Sequence, residues 1–171
     1  DASWGHLLSR FDIADQTQGR LSKAVNSFYR YSGTTFMTEQ AKAGHAMFMS
    51  RFIGKYKDLA WKDLDPSLRG GLEYHGFTES TWKLLRQMTE EYEGHSYLSP
   101  TMAQRLSEAQ LAEFLPENLR TRPKGMSAEK YDLAKQRAFY RIRNKIETDV
   151  LAFFSDNTKF AVMEPDARVQ A

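Results

Sequence analysis

From Tyr131 to Phe154 the apolar residues return at every third or fourth position, with Tyr131, Ala134, Ala138, Ile142 and Ile146 marking one stripe. A period near 3.6 sustained over so long a run is met by a helix that buries one side, and by little else. Ser127 stands where an N-cap belongs, and Asp156-Asn157 closes the run. A helix of that length needs other elements to cover its stripe. Elsewhere the apolar period is helical as well, and no alternating run of useful length appears. The chain is therefore expected to be all-α, a bundle of about six or seven helices with one long C-terminal helix packed across the others.

The shorter helices have their own boundaries. Leu21, Ala24, Val25 and Phe28 share a face, and Gly33 lies just past it as a C-cap; Met37, Ala41, Gly44, Phe48 and Phe52 predict a second helix. Asp65 followed by Pro66 is a start signal and Gly76 a stop, so a third helix is expected over about 66–75. Thr78 caps the next, with Trp82, Leu85 and Met88 inward and Phe77 stapled to Trp82. Thr89 to Tyr97 breaks the pattern, and Tyr97-Leu98 is the one hint of extended chain. Ser107 and Gln110 form a capping box for a short helix ending near Leu115. Residues 1–115 thus read as a helical bundle, 116–126 as a linker or exposed loop, 127–155 as a long basic amphipathic helix, and 156–171 as a tail, one domain overall.

At 171 residues the chain is long enough to bury a core without staples. It has no cysteine, which excludes disulfide frameworks, thiolate metal sites and cysteine nucleophiles. No apolar run approaches the roughly 18 residues of a membrane span. The start, DASWGHLLSR, lacks a basic then apolar leader and begins without Met, so the chain is expected to be a processed or excised piece of a longer polypeptide.

The order of elements between Phe28 and Leu85 resembles a helical segment of the very long internal virion (ejection), tape-measure-like or polyvalent proteins of tailed bacteriophages. Phe28, Tyr29, Arg30, Gly33, Thr34, Thr38, Trp61, Leu64, Pro66, Leu72, Gly76, Phe77 and Trp82 carry the likeness, and a weaker block runs from Arg143 through Asp149 to Pro165. The resemblance implies a virion protein that is delivered into the host cell envelope or cytoplasm. Its partners would be other virion chains or other segments of the same polypeptide, in an oligomeric assembly that helps DNA pass into the host. It implies a setting and no reaction.

Charge is unevenly spread. Between Arg120 and Lys145 nine basic residues stand against two acidic ones, a local net of +7, so the remainder of a chain of net +2 carries −5. Lys130, Arg137, Arg141 and Lys145, spaced seven, four and four, share one side of the long helix and are candidate contacts to DNA or an acidic partner. The alternative is a solvated face, with Arg137 and Arg141 lying over neighbouring aromatics. A second candidate surface is apolar: Met37, Met47, Phe48, Met49 and Phe52 exceed what one helix face buries in a small bundle, and are expected to meet another chain.

Catalytic constellations are weak. Glu79-Ser80 looks like the Glu-Ser opening the catalytic helix of lytic transglycosylases, but the Gly-Leu-Met-Gln-type segment that should follow is missing, and Leu84-Leu85-Arg86-Gln87 does not supply it. As a first-turn acid, Glu79 simply suits the positive end of a helix. Glu91, His95 and His75 are thin material for a metal, His45 and His6 stand alone, and Gly70-Gly71 lacks the lysine and hydroxyl of a phosphate loop. The aromatics Phe28 to Phe36 and Phe48 to Trp61 have the spacing of core packing before that of base-stacking platforms. No catalytic residue, cofactor or metal is expected. The expectation is a non-enzymatic structural segment of a phage ejection protein, with a stand-alone phage nucleic-acid-binding module as the alternative and a cell-wall hydrolase as the remote one.

Overall fold

The computed structural model describes residues 39–156. The expected helix at Leu21–Phe28, the Gly33 cap, Met37 and the tail beyond Asp156 lie outside the described residues, as do the likeness residues from Phe28 to Thr38. Helix α1 (Glu39–Gly54) leads through a 3-10 turn at Trp61–Asp63 to α2 (Pro66–Tyr74) and α3 (Glu79–Arg86). Strands β1 (Thr89–Tyr92) and β2 (His95–Leu98) follow. A 3-10 turn at Pro100–Arg105, the short α4 (Glu108–Leu111), two further 3-10 turns and the long α5 (Ala128–Asp156) complete the order.

Local chemistry sets the boundaries. The Asp65 carboxylate accepts from the Ser67 and Leu68 amides with Pro66 in the first helical position. At the other end of α2, Gly76 at φ 86 lets its own N–H reach Glu73 O at 2.9 Å and that of Phe77 reach Leu72 O at 3.0 Å. Both bonds add to the one the His75 amide makes to the carbonyls of the last turn. Thr78 and Thr81 form a reciprocal capping box at α3, as Ser107 and Gln110 do at α4, and the Ser127 hydroxyl accepts from the Lys130 amide at 3.2 Å.

The all-α expectation is corrected: the chain is mainly helical, with a small antiparallel hairpin pairing Thr89 with Leu98 and Tyr92 with His95. Glu93 (φ 49) and Gly94 (φ 78) both occupy the left-handed region, which gives a two-residue turn whose twist matches that of the strands. Four residues per strand are too few for a period of two to register. The burial along β1 does not alternate either, so Tyr97-Leu98, which lies in β2, was the one part of the hairpin marked as extended.

One core unites these elements. Met49 and Ile53 of α1, Leu68 and Leu72 of α2, Trp82 and Leu85 of α3, and Ile146, Val150, Phe153 and Phe154 of α5 pack together with Leu98 and Leu111. Trp82 is 1% exposed, and its indole N–H donates to Leu59 O at 2.9 Å, so the largest side chain in the core leaves no polar atom unpaired. Leu64, Leu72, Phe77 and Trp82, four of the residues that carry the phage likeness, all sit in this core. They report how the segment folds. Chemistry has to be sought on the surface.

Candidate nucleic-acid interface

Helix α5 is fastened through its second half. Its buried side chains are Ala138, Phe139, Ile146, Val150, Leu151 and Phe153 to Ser155, and none of 128–137 is buried. Opposite this stripe, Lys130, Arg137, Arg141 and Lys145 are all exposed, as the spacing required.

Their surroundings separate them. Lys145 donates to Asp149 at 2.7 Å, one turn on, which cancels most of its outward field. Among the described residues the side chains of Lys130, Arg137 and Arg141 have no ion-pair, hydrogen-bond or ring partner, and neither do those of the exposed Arg122 and Lys124 of the preceding loop. The cations that do lie over rings are others: Lys135 sits 4.5 Å from the Tyr131 ring and Arg143 6.0 Å from that of Phe139. Arg143 Nε also donates to Leu106 O at 2.9 Å, and Arg120 donates to Leu115 O and Glu113 O. The basic segment therefore divides its labour. Arg143 ties the helix to Leu106, Arg120 braces the approach loop and Lys135 is engaged along its own helix, while the side chains of Lys130, Arg137 and Arg141 face solvent.

Sequence spacing identified the cationic face and missed its apolar members. Leu133 (47% exposed) and Tyr140 (63%) are large side chains left open on the same outer side of α5. Their signal was available, because seven residues separate them and Arg137 lies between at four and three, which places all three on one strip of surface.

The apolar candidates are placed otherwise. Met49 is enclosed in the core at 0% exposure and presents nothing to a second chain. Phe48 and Phe52 are half-buried against the core with their rings stacked at 5.9 Å, and Met47 packs on Tyr97. The surplus of apolar side chains on α1 is thus absorbed largely within the chain.

The other sequence candidates do not assemble into chemistry. Glu79 is exposed in the first turn of α3, on a shallow groove of about 380 Å³ shared with Trp61 and Glu73. Glu73 is itself exposed and faces Arg69 at 3.8 Å. Both carboxylates stand open to solvent. His75 is 3.3 Å from Asp156 and edge-on to Phe153, joining the ends of α2 and α5. His75 and Ser67 both line a second open cleft along α2, but eight residues of helix put them about 12 Å apart along the axis, beyond any proton relay. His95 meets Arg51, and Glu91 accepts from Lys57 and Ser96, so the three proposed metal ligands are engaged separately. Among the described residues no group of three His, Asp or Glu is placed to hold a metal ion, and no helix is long and apolar enough to cross a membrane.

What fold and surface define is a mainly helical domain with one unneutralised cationic helix face. No protein-family model, curated protein or solved structure matches the chain.

Proposed function

We propose that the chain is a non-enzymatic helical segment that contacts nucleic acid along the outer face of α5, within a phage internal virion or ejection protein that helps deliver DNA to the host. The observation that carries the contact is the row Lys130, Arg137 and Arg141, whose side chains are exposed and unpartnered on one side of α5. Isolated surface cations normally stand among charges of the other sign; here the segment from Arg120 to Lys145 holds a net of +7. The phage setting rests on the resemblance between Phe28 and Trp82. In that setting the segment assembles with copies of itself or with neighbouring segments of a longer polypeptide.

Fluorescence anisotropy at two salt concentrations tests the contact. Each phosphate neutralised adds about 0.9 to the slope of log affinity against log salt on duplex DNA and about 0.7 on single strands. Replacing Arg137 and Arg141 together with Ala should therefore lower the slope by about 1.4 to 1.8, and weaken binding equally on unrelated sequences. A wild-type chain that binds no DNA at either salt would refute the proposal.

A further inference from the structure

Building on the proposed polyanion contact, we infer that its preferred ligand is an unpaired nucleic-acid strand, with Tyr140 as the stacking platform for a base. Electrostatics alone does not distinguish a duplex from a single strand, since both offer phosphates. The difference lies in the bases, which a duplex keeps stacked inside and a single strand leaves open to an aromatic face.

Tyr140 has the placement such a platform needs. It is 63% exposed, and its ring joins no aromatic pair, cation or hydrogen bond among the described residues. Of the tyrosines in this part of the chain, Tyr131 is committed, since its hydroxyl donates to Leu119 O at 2.8 Å and Lys135 covers its ring. Arg137 stands three residues before Tyr140, its neighbour on the helix surface, and Arg141 lies on the adjoining cationic side of the same helix. Leu133, one turn further back and 47% exposed, extends the apolar strip between Lys130 and Arg137. Cations for the backbone and an apolar strip with one ring for the bases run side by side over about 16 Å of helix from Lys130 to Arg141. What favours a single strand is the placement of an open phenol and leucine beside the free cations, where bases can reach them while the backbone meets the charges.

The test compares a short fluorescein-labelled oligothymidylate, a duplex of matched length and heparin, a polyanion without bases, on the intact chain at the same two salt concentrations. Wild type should bind the oligothymidylate more tightly than the duplex. Tyr140→Ala should weaken oligothymidylate binding about tenfold or more, leaving the duplex, heparin and the salt slope unchanged, while Tyr140→Phe should bind as wild type. If Tyr140→Ala leaves oligothymidylate binding intact while the Arg137 and Arg141 replacements weaken all three ligands, stacking is refuted and the polyanion contact stands. Equal weakening on all three ligands by Tyr140→Ala, with an altered circular dichroism spectrum, would also refute stacking, because the ring would then be structural. Absence of binding to any ligand would remove the contact and this inference together.

Discussion

Two glycines on neighbouring helices have opposite reasons to be glycine. A Cβ on Gly54 would lie 2.2 Å from Ser96 O, so the end of α1 can rest on β2 only while that position has no side chain. Gly70, inside α2, has nothing within 4 Å of its would-be Cβ. Gly54→Ala should therefore cost about 1–3 kcal/mol through forced separation of α1 from the hairpin, whereas Gly70→Ala should stabilise by about 0.5–1 kcal/mol by restricting the unfolded chain. Urea denaturation of both variants checks the contrast, and a shared sign would show the packing to be misread. His45 acts through charge. It is buried on α1, and its Nε2–H donates to Phe154 O at 2.6 Å, meeting a carbonyl in the last turn of α5. Burial holds its pKa below the ordinary 6.5, against the opposing pull of that hydrogen bond. Above 6.5 the ring is neutral folded or unfolded, and stability is insensitive to it. Below 6.5 the unfolded chain takes up the proton first, so stability falls as the pH drops toward the lowered value. Denaturation midpoints measured on either side of that pH should fall less in His45→Gln than in wild type.

Elements whose ends are written in side-chain chemistry were legible before the fold was seen. Asp65-Pro66, Thr78, Ser107 and Ser127 each cap the helix assigned to them, because a hydroxyl or carboxylate beside an orphan amide is a local matter that tertiary packing rarely overrides. The hairpin was legible only at Tyr97-Leu98, read as extended chain and found in β2. Its turn depends on two consecutive left-handed residues, and the usual Asn-Gly or Asp-Gly signal is replaced by Glu93-Gly94. Glu93 is a poor occupant of that conformation, so Glu93→Asn should raise stability by a few tenths of a kcal/mol to about 1, read from the thermal midpoint. The candidate interface shows the same division. Spacing placed Lys130, Arg137, Arg141 and Lys145 on one side of α5, but only three-dimensional neighbours reveal that Lys145 is answered by Asp149 and that Arg143 turns inward to Leu106. Tyr140 escaped because an aromatic near an apolar stripe is ordinarily assigned to the core.

At the scale of the molecule, one continuous core reaches from α1 through the hairpin to the second half of α5, and the first half of α5 runs past it. The helix is in effect a beam fixed at one end. Its free half is steadied by Tyr131 against Leu119 and by the Arg120 bonds of the approach loop, contacts too few to make that half open only when the whole domain opens. Amide hydrogens between Tyr131 and Arg137 should accordingly exchange far sooner than those between Ile146 and Phe153. Bound nucleic acid should slow the first group and leave the second untouched, as exchange mass spectrometry would record. The cations proposed to meet the ligand lie mostly on the half that moves most easily. Capture of a strand would thus be felt first as a loss of local opening, and the stiffness gained along the helix would be transmitted to the core only at Ala138 and beyond.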